Sequence, residues 1–171
     1  MVEIRKATVN DATLLAEIGK KSFIESHGRS ASEADINSYV NEKYTVQVFV
    51  EELSNPENNY HIIFYNEIPA GYSKIIFNVG HKNFEPTNLT KLERLYLLKE
   101  FYHLKLGYQL LNFNINLSKQ NKQHGMWLFV WKENLQAVNF YLKAGFKITG
   151  SHDFKISETH SNPNHQMLLE Y

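Results

Sequence analysis

Hydrophobic positions first alternate and then fall into helical register. Val2 and Ile4 lie near one face of a strand predicted over residues 2–8. Asn10 or Asp11 then caps a helix to about residue 26, with Leu14, Leu15, Ile18 and Phe23 near helical spacing. After the break "GRSAS", residues 32–40 predict a second helix and residues 46–53 a third, stopped by "SNPENN". The period then shortens. Residues 60–65 and 70–77 read as two strands joined by the turn "NEIP", a hairpin, and "NVGHKNFEPTN" follows as an irregular loop. Residues 92–98 predict a fourth strand, and 107–121 a helix carrying Leu110, Leu111, Phe113, Asn114 and Leu117. A fifth strand at 126–131 precedes a helix at 134–144 that Gly145 stops, and strands at 146–154 and 166–171 close the chain.

That order is neither strict strand–helix alternation nor a helix bundle. It predicts an α/β fold: a mixed central sheet of about seven strands with helices on both faces. The strand–helix–strand unit at 92–130 should be a right-handed parallel crossover. No internal repeat, low-complexity stretch or linker divides the sequence, so one domain over 1–171 is expected.

Composition adds limits. Lys plus Arg and Asp plus Glu number 18 each, so no global field draws the chain to nucleic acid or to an anionic membrane. Cysteine is absent, which excludes disulfides, thiolate zinc sites and a cysteine nucleophile, and fits a reducing compartment. The start "MVEIRKATVND" lacks an apolar core of signal-peptide length. No later run approaches the ~18 apolar residues of a membrane span. A cytoplasmic protein is expected. Ten Tyr, eleven Phe and two Trp point to an aromatic core. The eight His are scattered, with His160 and His165 in the loop-like "ETHSNPNHQ". No pair has helical ligand spacing with a supporting carboxylate, so no metal site is expected.

Two stretches carry candidate chemistry. In "FYHLKLGYQLL" (101–111) a strand runs into a helix, and the amides at a helix start make an anion site. An ordinary capped helix gives the same pattern. In "VWKENLQAVNFYLKAGF" (130–146), Asn134 opens a helix and Tyr141 follows seven residues later. Seven steps of ~100° are nearly two turns, so both share a face ~10 Å apart along the axis. They can flank an extended ligand, or serve only as an N-cap and a half-buried core residue.

Together, "LERLYLLKEFYHLKLGYQLL" and "VWKENLQAVNFYLKAGF" resemble the acetyl-CoA-binding half of the GNAT superfamily of N-acetyltransferases. The element order extends the likeness over about the whole chain. Nearer the N-terminus, "SFIESHG", "EELSNPENNY" and "IPAGYSKI" resemble the PaiA-type spermine/spermidine acetyltransferase branch. The resemblance implies acetyl-CoA as co-substrate and direct transfer, in a ternary complex, to a primary amine of a small molecule, polyamines included. The family's loop runs Gln or Arg, two residues, Gly, one residue, then Gly or Ala. Here those positions are Tyr102, Lys105 and Gly107, so only the last matches. The resemblance still places the pyrophosphate on backbone amides from His103 through Leu104, Lys105, Leu106 and Gly107 to Tyr108. Leu95 and Leu97 would offer backbone groups to the pantetheine arm, Leu97 N–H also to the thioester oxygen, and Asn134 would hydrogen-bond the arm. Tyr141 would protonate the departing thiolate, since a phenol of reference pKa ~10 holds its proton at neutral pH. Glu93 stands where some polyamine acetyltransferases carry a base acting through water; alternatively it pairs with Arg94 or Lys91 in solvent.

Glu25, Glu33 and Asp35 are further conceivable amine partners, or plain solvated carboxylates. Two readings compete with a small-molecule acetyltransferase. The loop's departures would suit a weak or inactive acyl-CoA-binding or interaction module. An open groove would suit transfer to a protein N-terminus or lysine. The sequence allows a homodimer.

Overall fold

The computed structural model describes residues 1–85 and 87–171; Pro86, in the expected loop 78–88, lies outside the described residues. Strands β1 (Val2–Lys6), β2 (Asn59–Tyr65), β3 (Ile68–Ile76), β4 (Thr90–Leu97), β5 (Gly125–Trp131), β6 (Lys147–Lys155) and β7 (Ser161–Glu170) form one mixed sheet in the order β1-β2-β3-β4-β5-β7-β6. Helices are α1 (Ala12–His27), α2 (Glu33–Lys43), α3 (Val46–Ser54), α4 (Leu106–Gln120) and α5 (Leu135–Lys143). β4 and β5 are parallel, as the crossover requires, and their register pairs Thr90 with Met126 and Lys91 with Trp127. No helix among the described residues is long and apolar enough to cross a membrane. The chain divides into two compact units, Met1–Ile75 with Arg94–Asn114, and Ile76–Glu93 with Ile115–Tyr171.

In the first unit, short polar side chains set where the helices begin. Asp11 accepts the Thr8 N–H at 2.8 Å and grips Arg5 through contacts of 2.7 and 3.0 Å, so β1 ends two residues sooner than expected. Ser32 accepts the Asp35 N–H at 3.1 Å to cap α2, and Thr45 accepts the Val48 N–H at 3.2 Å to cap α3. The β2–β3 turn narrows to Asn66 and Glu67, whose φ angles of 49° and 69° are those of a two-residue hairpin loop.

The core of this unit is aromatic. Phe23, Tyr44, Phe49, Tyr60 and Tyr72 are all buried, and their rings contact one another in a chain from α1 to β3. A charge cluster sits inside that chain. Arg94 donates to Tyr60 Oη at 3.0 Å, lies 3.5 Å from Glu52 Oε1, and spreads its guanidinium over Tyr44 and Phe49 at 5.3 and 5.7 Å. Lys74 reaches Glu52 Oε2 at 3.0 Å, and the Tyr60 hydroxyl donates to the same oxygen. Burial works to raise the Glu52 carboxyl, yet Arg94, Tyr60 and Lys74 outweigh it and hold the group below the usual carboxylate range.

In the second unit, β5, β7 and β6 pair antiparallel over their length, burying Met126, Leu128 and Met167. Gly145, at φ +98°, ends α5 where the sequence placed the stop. One expectation fails. Residues 161–165 are not loop: β7 begins at Ser161, and Asn162, Pro163 and Asn164 pair with Phe154, Asp153 and His152.

Burial holds two imidazoles of the first unit neutral, His27 and His61, each pushed down to about 4. The unfolded chain protonates both near 6.5, so their contribution is complete above that pH and is lost as pH falls toward 4. The melting temperature should therefore decline steadily between pH 6.5 and 4. His61→Leu, which removes one of these groups, should flatten that slope in a thermal-unfolding series.

Candidate active site

The turn before α4 is built from the core outward. Phe101 and Leu106 are buried, whereas His103, Leu104 and Lys105 between them face solvent. His103 and Lys105 adopt φ of 69° and 59°, a left-handed backbone that disfavours residues with a Cβ by about 1–2 kcal/mol each. Lys105 is the residue standing where a glycine was expected. The Lys105 carbonyl accepts the Gln109 N–H at 3.2 Å, so the helix proper starts at Leu106, with Gly107 and Tyr108 in its first turn. First-turn amides have no carbonyl within their own helix, and their summed dipole favours an anion. The turn thus leads into a helix start of unpaired amides, with Lys105 exposed beside it.

Leu95 and Leu97 lie on β4 beyond the two residues paired with β5. They belong to the first unit, with the turn at 103–108. Glu93, Asn134 and Tyr141 belong to the second. Glu93 Oε1 lies 3.4 Å from Lys91 Nζ, so its neighbour of choice is Lys91 rather than Arg94, which turns into the aromatic core. Asn134 caps α5, its Oδ1 accepting the Ala137 N–H at 3.2 Å. That leaves the Nδ2 side of the amide as a donor. Tyr141 is buried against the edges of Phe140 and Phe146, at 5.1 and 5.5 Å. Burial pushes its phenol well above the ordinary value. The proton therefore stays on the oxygen at every physiological pH.

Two of the three carboxylates conceivable as amine partners on the helical side, Glu25 and Asp35, have structural employment. Glu25 accepts the Lys99 N–H at 2.7 Å, fixing the turn that follows β4, and Asp35 accepts the Ser32 hydroxyl at 2.9 Å in the α2 cap. The Glu52–Arg94–Tyr60 cluster escaped sequence reading because its members are 8 to 42 positions apart with no shared period.

The family model described as acetyltransferase (GNAT) family matches residues 21–146. The chain belongs to that family. It is 31% identical to the spermidine N(1)-acetyltransferase of Thermoplasma acidophilum over 158 residues, covering 90% of this chain and 94% of that one. It is 25% identical to an N-acetyltransferase of Lactobacillus delbrueckii subsp. lactis over 92% of this chain and 91% of that one. The crystal structure of the PaiA N-acetyltransferase from Thermoplasma acidophilum in complex with coenzyme A superposes with a TM-score of 0.80 at 25% identity, over 100% of this chain and 99% of that chain. This GNAT chain is thus an N-acetyltransferase, and its turn at 103–105 is left-handed at two residues that are not glycine, His103 and Lys105.

Lys105→Gly removes the left-handed penalty and the side chain at the lip. It should stabilise the fold by about 1 kcal/mol, or about 2–4 °C in melting temperature. The coenzyme A dissociation constant measured by calorimetry on the same variant assigns the side chain's role. A lower constant means that the stem obstructs the cradle, and a higher one that the ammonium binds phosphate.

Proposed function

We propose that the protein transfers an acetyl group from acetyl-CoA to a primary amine of a small molecule, by direct attack in a ternary complex. The observation that supports this reading is the left-handed backbone of Lys105, at the position where the family's pattern has glycine. Kinship to a spermidine acetyltransferase supports a small amine acceptor, and superposition on a coenzyme A complex supports acetyl-CoA as the donor. The setting in this reading is cytoplasmic.

Acetyl-CoA supplies an activated acetyl group, whose transfer forms a C–N bond as a C–S bond breaks. The amides from His103 to Tyr108 hold the pyrophosphate, and the backbone of Leu95 and Leu97 and the Asn134 amide hold the arm. The Leu97 N–H donates to the carbonyl oxygen as it gains charge. An alkylammonium of pKa ~10.4 must lose a proton before it attacks, and Glu93 takes that proton through water. Tyr141 donates to the departing sulfur. A thiol has a reference pKa of ~8.5 and this phenol sits well above its own ordinary value. Complete transfer to a free thiolate is therefore uphill. Tyr141 acts most strongly while charge is developing, as a hydrogen-bond donor.

A non-catalytic acyl-CoA-binding module is the second reading, favoured by Tyr102 and Lys105 standing where the family pattern has Gln or Arg and Gly. Release of free thiol from acetyl-CoA over an amine panel separates the two. Tyr141→Phe should lower kcat about a hundredfold with the amine KM nearly unchanged. Tight coenzyme A binding without turnover on any amine would leave the binding module.

A further inference from the structure

Beside Glu93, one face of the β5–β7–β6 sheet forms an aromatic platform. Phe129 and His152 stack with ring centres 4.3 Å apart and planes 18° apart, and Trp127 meets Phe129 edge-on at 5.2 Å. Lys91 Nζ lies 5.4 Å from the Trp127 ring centre, 5.9 Å from that of Phe129 and 3.4 Å from Glu93 Oε1. Its ammonium therefore sits over two π faces and against one carboxylate, surroundings that suit any primary alkylammonium.

The neighbouring row on the same face is polar and buried. Phe129 pairs across strands with Gln166, and Asn164 lies between Trp131 and His152. Gln166 and Asn164 are 1% and 7% exposed, yet Gln166 Nε2 and Asn164 Oδ1 have no hydrogen-bond partner among the described residues. A buried polar atom left so costs about 1–3 kcal/mol, and three adjacent residues of one strand face share this state, Asn162 Nδ2 being the third. Gln166 lies over Gly150, where even a Cβ would come within 2.9 Å of its Oε1. A carboxamide presents a donor and an acceptor whichever way it is turned. The positions that flank the two carboxamides, 129, 131, 150, 152 and 168, carry no carboxylate, and the acid on this face of β7, Glu170, pairs with Gly125 at the far end of the strand from Asn164, so a second ammonium beside Gln166 and Asn164 has no adjacent counter-ion.

Resting on the reading that the protein acetylates amines, we infer that this face is the acceptor subsite, and that its substrate is a primary amine with a neutral amide carbonyl close to the nitrogen, such as an aminoacyl amide, rather than a polyamine. The ammonium takes the seat that Lys91 occupies, beside Glu93 and over Trp127 and Phe129. The amide reaches Gln166 and Asn164, one strand over at the ~5 Å spacing of cross-strand neighbours. An α-amino amide spans that distance. A polyamine instead places methylenes or a second charge against the two carboxamides, leaving them unpaired.

The test compares kcat/KM for L-alaninamide, isobutylamine and spermidine with acetyl-CoA. Alaninamide should exceed each of the others by about tenfold or more. Gln166→Leu should erase its advantage over isobutylamine while the coenzyme A dissociation constant stays the same. Lys91→Met, which vacates the cation seat, should lower the KM of every amine severalfold without changing that of acetyl-CoA. Spermidine matching or surpassing alaninamide, or an unchanged preference in Gln166→Leu, overturns the assignment. If no amine turns over, the same ratios are read as dissociation constants on coenzyme A-loaded protein, where equal values overturn it. Failure of coenzyme A itself to bind sinks the acetyltransferase reading instead, and the amine constants are then taken on the free protein.

Discussion

A guanidinium keeps its charge at any pH a protein meets, so placing Arg94 among aromatic rings dictates what must surround it. Burial opposes the charge, but the phenols of Tyr72, Tyr60 and Tyr44 and the Glu52 carboxylate favour it, and its pKa is raised well above the ordinary value. Removing Glu52 would take the carboxylate partner from both Arg94 and Lys74 in a low-dielectric setting, a loss of about 3–5 kcal/mol when one partner of a buried pair is removed. The cluster ties α3, β2 and β3 to one residue of β4. That residue stands between Glu93, the candidate base, and Leu95 and Leu97, whose backbone would meet the acetyl donor. With its side chain drawn into the aromatic core, Arg94 leaves little freedom to the backbone on either side. Under the proposed function, the charge cluster would position these residues as well as stabilise the fold.

How far the fold could be read depended on whether a local rule and the tertiary partner agreed. Leu14, Leu15, Ile18 and Phe23 announced α1 because Leu15, Ile18 and Phe23 are buried and Leu14 is half-buried. Residues 161–165 misled because Asn162, Pro163 and Asn164 are turn formers by local preference. In the structure their backbone is paired along β6, and that partner is invisible from within the segment. Tertiary pairing overrode propensity there. The hairpin at "NEIP" was legible as a turn, but its narrowing to Asn66 and Glu67 follows from the register of Tyr65 with Ile68.

Candidate site residues divide along the same line. Asn134 and Tyr141 take the placements offered as the plain alternative to a ligand-flanking pair, because a helix converts sequence spacing into geometry: one caps α5 and the other is buried. Carboxylates were not legible in this way. Glu25 and Asp35 look identical in sequence to ligand-facing acids, yet each is engaged by a backbone N–H or hydroxyl within a few ångströms. The carboxamides of Asn164 and Gln166 gave no signal at all. Their interest arises from being buried without partners on one face, a property of the sheet and not of the segment.

The turn at 103–108 shows how a left-handed backbone can be held without glycine. Two left-handed residues with side chains, His103 and Lys105, cost about 1–2 kcal/mol each relative to relaxed backbone. That strain persists only if the flanking structure over-determines it. Phe101 before the turn and Leu106 after it are each less than a tenth exposed, and burying a side chain of this size contributes about 1.5–3 kcal/mol. Glu25 adds a further anchor by holding the Lys99 N–H. Both ends of the turn are thus fixed by forces that exceed the strain between them, and the chain must pass through the left-handed region to connect them. Glycine would make that path cheap. Here the anchors make it obligatory, which frees position 105 to carry a cation at the mouth of a helix dipole that already favours an anion.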